Sequence, residues 1–167
     1  MDKDSLDELK KHAEESQVSL STLLNQIISG YMKWDAYATK AGYTTFEKDV
    51  LKMLFDNMTT EDLAKLAAST TKSFKDVLLL TSGGDESVVN LEAVLAVLEN
   101  HARRSGFQYS AFSDKGAGKK KIVIQHDMGE KWSSFYKERI QEMIKFSGHS
   151  AKIDMVDDNK LMMTIEA

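Results

Sequence analysis

The chain has 167 residues, of which 42% are apolar and 29% are charged, an ordinary composition for one medium globular domain or two small ones. It has no cysteine, no long apolar run and no export signal, which excludes disulfides, thiolate chemistry and membrane spans, so we expect a cytoplasmic protein with no membrane partner. The formal net charge of −4 argues mildly against nucleic-acid binding, because phosphate contacts usually require a basic surplus.

Two amphipathic helices joined by a short corner are predicted at the start of the chain. The first covers residues 5–16, the corner is Ser16-Gln17-Val18, and Ser19 is a good N-cap for the second. A stripe of apolar residues at helical spacing runs along this second helix towards Gly42. The stripe is broader than one short neighbour covers, which predicts a partner chain. We expect the dimer interface to contain Leu20, Leu23, Leu24, Ile27, Ile28, Tyr31 and Trp34.

Three further helices are predicted in the middle of the chain. The segment Thr44-Thr45-Phe46-Glu47 has the form of a capping box and predicts the start of a third helix. Thr59 or Thr60 caps a fourth, and Ser82-Gly83-Gly84-Asp85 is a flexible break after it. A fifth helix is predicted over residues 88–105.

The last third of the chain changes to short β-prone segments. Residues 107–112 and 120–126 predict a hairpin with a glycine-rich tip, and residues 151–156 and 160–166 predict a second hairpin. A helix over residues 129–146 lies between them.

The predicted fold class is α+β. An N-terminal all-helical region of about five helices precedes a small two-layer ββαββ domain. The predicted divisions are a dimerisation region at residues 1–42, a helical connector at 43–82 and an α+β domain at 83–167.

Residues 6–32 resemble the ribbon-helix-helix family of transcription regulators. The stretch to Ala41 also looks like a group of uncharacterised archaeal proteins with such a front and an α+β rear. The resemblance implies a homodimer or higher oligomer, in which a two-stranded ribbon reads the DNA major groove and helix amides hold phosphates. The matching residues are Leu6, Leu9, Ala13, the Val18-Ser19-Leu20-Ser21 corner, Leu23, Leu24, Ile27, Ile28 and Tyr31.

The resemblance implies duplex DNA as a partner, with phosphate contacts at Ser19, Leu20 and Ser21. Only residues 1–4 precede the first helix, and Lys3 is the single basic residue among them. Either the reading strand lies upstream of this sequence or the chain does not read bases.

A lysine cluster at the first hairpin is a second candidate phosphate contact. It comprises Lys115, Lys119, Lys120 and Lys121, with glycines between them. The alternative is a solvated turn whose lysines discourage strand-edge pairing.

The stretch around His126 and Asp127 joins a strand to a helix. The pair could be a catalytic base and its orienter. We favour a structural interpretation, with Asp127 as the N-cap of the next helix and Glu130 three residues on. His12, His101 and His149 show no metal-ligand spacing, so no metal or cofactor is expected.

The first functional hypothesis is a homodimeric, DNA-binding transcription regulator whose rear domain assembles further or senses an unidentified small-molecule effector. The alternative is a helical dimerisation or protein-interaction module that does not bind DNA, which the acidic charge and the missing strand favour. A small enzyme using the rear domain comes third, and we expect no enzymatic activity, because no set of catalytic groups converges in the sequence.

Overall fold

The computed structural model describes residues 2–114, 116 and 118–166. It is an α+β fold, as predicted, with helices first and a four-stranded antiparallel sheet at the C-terminal end, in the order β1-β2-β4-β3. The elements are α1 (Lys3–Glu15), α2 (Leu20–Gly30), a π-helical turn (Tyr31–Asp35), α3 (Ala36–Ala38), α4 (Lys48–Asp56), α5 (Thr60–Thr81), a 3₁₀ turn (Glu86–Val88), α6 (Leu91–Arg104), β1 (Gln108–Asp114), β2 (Lys119–Gln125), α7 (Glu130–Lys145), β3 (Ala151–Val156) and β4 (Lys160–Glu166). Six described α-helices, α1 to α6, precede the first strand, where about five were predicted.

Side-chain caps and a left-handed corner define the front helices, the name used here for α1 and α2. The Asp2 carboxylate accepts the Ser5 N–H at 2.9 Å, and the Ser19 hydroxyl accepts the Thr22 N–H at 3.0 Å, which confirms Ser19 as the N-cap of α2. Gln17 takes a φ of 54° at the corner between the two helices. This left-handed residue ends α1 and turns the chain into α2.

The π-helical turn brings Trp34 into the interior of the chain. Trp34 is only 6% exposed. The centre of its ring lies 5.0 Å from the centre of the Tyr43 ring and 5.4 Å from the centre of the His101 ring. The prediction that Trp34 belongs to the dimer interface is therefore wrong. A π turn contains one more residue than an α turn, so it rotates the residues that follow it away from the stripe on α2.

Local capping signals predicted the start of α5 correctly and the start of α4 incorrectly. Thr59 caps α5 in a capping box with Asp62, and each side chain accepts the other's backbone N–H at 3.2 Å. The predicted capping box at residues 44–47 is wrong, since α4 begins at Lys48 after an extended Glu47. Tertiary contacts hold the segment before α4 instead, because the Tyr43 hydroxyl accepts a hydrogen bond from Arg139 at 2.8 Å.

The start of α7 also differs from the prediction. Gly129, with a φ of 87°, is in the N-cap position, and the Asp127 carboxylate accepts a hydrogen bond from Lys48 Nζ at 2.8 Å. The prediction that Asp127 caps this helix is therefore wrong. The positive φ explains the glycine, because a side chain would be strained there.

Helix α7 lies between the sheet and α5, so the helices form more than the single layer predicted. Tyr136 and Ile140 on this helix and Ile122, Ile124 and Met163 on the sheet are fully buried. One apolar core runs from Trp34 to Ile165. The predicted division at residue 83 thus does not separate two cores.

Among the described residues, no helix is both long and apolar enough to span a membrane.

Candidate functional site

The front helices carry an apolar surface that the rest of the chain leaves uncovered. Leu20, Leu23 and Leu24 are half-buried beside α1, and every residue of α2 keeps part of its surface exposed. Further along the stripe, 47% of Ile27, 58% of Ile28 and 56% of Tyr31 is exposed. These residues, from Leu20 to Tyr31, are called the apolar stripe below.

A wide groove separates α2 from the end of α5 and from α6. It has a volume of about 1090 Å³ and is lined on one side by α2 and the π turn and on the other by the end of α5 and by α6. Asn25 and Gln26 line the α2 side, and Glu99, Asn100 and Arg103 line the α6 side. None of the residues of the apolar stripe lines this groove, so α2 does not turn its apolar stripe towards α6.

The predicted phosphate contacts on the front helices lie at the surface. Ser19 and Ser21 are exposed at the start of α2, and Leu20 is half-buried there. Lys3 is exposed in the first turn of α1, beside Asp2 and Asp4. The two acidic neighbours offset the charge of this single lysine.

The lysines of the first hairpin are largely ion-paired. Lys119 lies 3.3 Å from a carboxylate oxygen of Glu166, and Lys120 forms an ion pair with Glu92 on α6. Lys121 is exposed and stands opposite Phe112 and Thr164 on the open face of the sheet. Lys115 lies outside the described residues. These pairs favour a structural role for Lys119 and Lys120, since neutralised lysines attract phosphate weakly.

His126 takes part in a buried hydrogen-bond chain. Its Nδ1 accepts the Met128 N–H at 3.2 Å, so its Nε2 carries the proton and donates to the Ser133 hydroxyl at 2.9 Å. The Ser133 hydroxyl in turn donates to the Asp157 carbonyl at 2.5 Å. Burial lowers the pKa of His126. Both ring nitrogens are therefore occupied in a neutral structural link, and Asp127 is exposed and paired with Lys48 instead.

A cavity that the sequence did not predict lies between the π turn, α6 and α7. It has a volume of about 290 Å³ and is called the junction cavity below. The π turn, the segment before α4, α6, the residue before β1 and α7 contribute its aromatic walls. The aromatic residues that line it are Trp34, Tyr43, Phe46, His101, Phe107 and Trp132.

Buried polar groups support the wall formed by Tyr43 and His101. His101 is 8% exposed, and its Nδ1 lies 2.9 Å from the hydroxyl of Tyr136. Burial, with a smaller effect of the Arg139 charge, places the pKa of His101 well below its usual value. His101 is therefore neutral near pH 7. Arg139 is 5% exposed, donates to the Tyr43 hydroxyl and lies 5.9 Å from the Tyr43 ring centre.

Two basic side chains line the rim of the junction cavity. Lys48 Nζ lies 5.4 Å from the centre of the Phe107 ring and bonds to Asp127, which is outside the lining. The hydrogen bond from Lys48 lowers the pKa of Asp127. Arg104 pairs with Asp35, and both line the cavity. The lining thus carries two cationic side chains and one carboxylate.

No family model matches the chain. A search of curated proteins finds no match either. The ribbon-helix-helix resemblance therefore stays a prediction. Within residues 2–114, 116 and 118–166, no group of three or more His, Asp or Glu side chains is placed to hold a metal ion.

Sequence patterns could not identify the junction cavity, because its aromatic residues come from five separate segments. Only their types carried a signal, since Trp34 and Trp132 are the two tryptophans of the chain and both line the cavity. Sequence reasoning placed each tryptophan on a helix face and did not predict that both line one cavity.

Proposed function

We propose that the chain is a homodimeric transcription regulator, in which the front helices of two copies pair and the rear of each chain senses an effector. The apolar stripe carries this proposal, because Ile27, Ile28 and Tyr31 are each about half exposed on one helix face. Burial of apolar surface contributes about 25 cal/mol per Å², so a covering partner stabilises this face. A second copy supplies a matching stripe, since a twofold interface uses the same patch from both chains.

Contact with DNA is proposed at the start of α2. Its first backbone amides have no partner one turn earlier in the helix, and Ser19 and Ser21 are exposed beside them. A helix N-terminus attracts phosphate through these amides and its partial positive charge. In a dimer, two such helix starts would contact the DNA backbone together.

The test combines solution mass with DNA binding. We expect analytical ultracentrifugation to give a dimer, and we expect binding to mixed-sequence duplex DNA that weakens steeply with salt. Ser21→Glu places a negative charge at the start of α2 and should abolish DNA binding while the dimer persists. Ser69→Glu, an exposed serine on α5, is the matched control and should leave binding unchanged.

A dimerisation module that does not bind DNA is the second candidate. The net charge of −4 and the ion pairs of Lys119 and Lys120 favour it, because they leave little basic surface for phosphate. A dimer that binds no duplex even at low salt would establish this candidate. A chain that stays monomeric at high concentration would overturn both.

A further inference from the structure

We propose that the junction cavity binds a small planar aromatic carboxylate. A volume of about 290 Å³ is at the small end of ligand pockets, which suits one ring or two fused rings. Binding itself does not depend on the proposed function, whereas a regulatory effect of the ligand on the front helices does.

The walls of the cavity provide ring surfaces in several orientations. The Trp34, Tyr43 and His101 rings contact one another edge to face, with centres 5.0 to 5.7 Å apart and planes 64° to 73° apart. The Phe107 and Trp132 rings stand 5.9 Å apart. A planar aromatic ligand can stack on one ring and meet the edges of others, which are the arrangements that aromatic pairs prefer.

Buried N–H donors that lack an acceptor indicate that the ligand carries an acceptor oxygen. The Trp132 indole Nε1–H is buried and has no partner among the described residues, and 92% of the Trp132 surface is covered. A buried N–H without an acceptor is costly, so native structures almost always supply one. Trp132 lines the cavity, and a ligand whose binding exposes this N–H would supply the acceptor oxygen.

His101 supplies a second donor. The fully buried Tyr136 hydroxyl has one hydrogen-bond partner among the described residues, His101 Nδ1, so donating its proton there satisfies the hydroxyl and places the His101 proton on Nε2. Tyr136 lies outside the cavity lining and His101 within it, and as part of the proposal we assign the Nε2 edge of His101 to the cavity. None of the described residues bonds to that Nε2.

The charge of the lining selects an anion over a cation. Lys48, Arg104 and Asp35 give the described lining a net charge of +1. Arg104 pairs with Asp35 and Lys48 pairs with Asp127 outside the lining, so a ligand carboxylate would share each cation with an exposed carboxylate. A carboxylate would reach these cations at the rim while its ring occupies the aromatic interior. An ammonium ligand, which aromatic walls alone would favour, is disfavoured by the two cationic side chains.

The position of the cavity explains how a ligand would act on the front helices. Trp34 and Asp35 belong to the π turn that continues α2, whereas Trp132 belongs to the rear of the chain. A ligand bound between them would therefore fix the orientation of α2 relative to α7.

Calorimetry and tryptophan fluorescence with three probes test the binding site. The probes are 2-naphthoate, the neutral 2-naphthamide and the cation benzyltrimethylammonium. Because both tryptophans line the cavity, we expect 2-naphthoate to change the intrinsic emission and to bind most tightly of the three. Equal affinity for naphthoate and naphthamide, or no binding of naphthoate at millimolar concentration, would overturn the proposal.

Paired variants locate the carboxylate. Arg104→Gln should weaken naphthoate binding by about tenfold and leave naphthamide unchanged, because one charge-assisted hydrogen bond is lost. Asp35→Asn removes the carboxylate of the lining and should strengthen naphthoate binding several-fold. Arg103→Gln, next to Arg104 but outside the cavity, is the matched control. The proposal fails if Arg103→Gln and Arg104→Gln weaken binding alike, or if Asp35→Asn weakens it while the melting temperature is unchanged. These binding assays do not depend on dimerisation or DNA, so they separate this proposal from the proposed function.

Discussion

The guanidinium of Arg104 occupies the space that a side chain at Gly30 would need. A Cβ built on Gly30 would collide with Arg104 Nη2, whose other partner is the carboxylate of Asp35. Gly30 ends α2 and Asp35 ends the π turn, so this arginine on α6 lies against the residue before the turn and pairs with the residue that ends it.

Gly30→Ala should displace Arg104 from Asp35 without unfolding the protein. Alanine is favoured over glycine in a helix by about 1 kcal/mol, and a half-exposed ion pair contributes at most about 1 kcal/mol, so the two effects nearly cancel in the free energy of unfolding. Urea denaturation should show that free energy nearly unchanged, while naphthoate binding falls as in Arg104→Gln. A Gly30→Ala variant that binds naphthoate normally would show that Arg104 does not contact the ligand.

Ile28→Asp should convert the proposed dimer to a monomer. The side chain is 58% exposed in the single chain, so the substitution leaves the fold of the monomer intact while placing a charge in the proposed interface. Sedimentation velocity at several concentrations measures the change. Met53→Asp is the control, because Met53 is 60% exposed on α4, away from the apolar stripe. A fully dimeric Ile28→Asp would place the contact elsewhere.

The protein should lose stability in mildly acidic solution. Burial lowers the pKa of His101 and His126 in the folded chain from the ordinary value of 6.5, so the unfolded chain binds more protons below that pH. The stabilisation is therefore complete above pH 6.5 and falls as the pH drops below it, by up to roughly 1.4 kcal/mol per pH unit for each histidine.

Urea denaturation between pH 7.5 and about pH 5 measures this slope. His101→Phe removes one of the two buried imidazoles and should make the slope shallower. A free energy of unfolding that stays constant over this range would contradict the neutral, buried state of both rings.

Thr59→Ala should destabilise the protein by about 1 kcal/mol, since it removes the N-cap of the 22-residue helix α5. Thr60→Ala is a close control, because Thr60 is the first helical residue and the cap lies at Thr59. Thermal denaturation of the two variants side by side checks this. Equal losses would show that the capping box contributes nothing specific.

Predictions from the sequence succeeded where the deciding interactions are local. The second hairpin begins and ends where expected, at Ala151–Val156 and Lys160–Glu166, because strand and turn residues alternate within a few positions. Ser19 and Thr59 cap their helices through hydrogen bonds three residues away. Such contacts depend on the chain within one turn, which the sequence displays directly.

Predictions failed where a distant residue decided the outcome. Asp127 was expected to cap α7, but its partner Lys48 is 79 residues away in the chain. Trp34 was expected in the dimer interface, and the π turn places it against Tyr43 and His101 of its own chain. Residues 44–47 have the form of a cap, yet the bond from Arg139 to the preceding Tyr43 ties this segment to α7.

The sequence by itself determined the α+β class, most helix and strand positions and the apolar face of α2, because periodicity and caps act over a few residues. Only the tertiary structure decided which apolar residues are covered and that both tryptophans line one cavity. Packing brings together segments up to about a hundred residues apart, such as Trp34 and Trp132 at the junction cavity, and no short pattern encodes that distance.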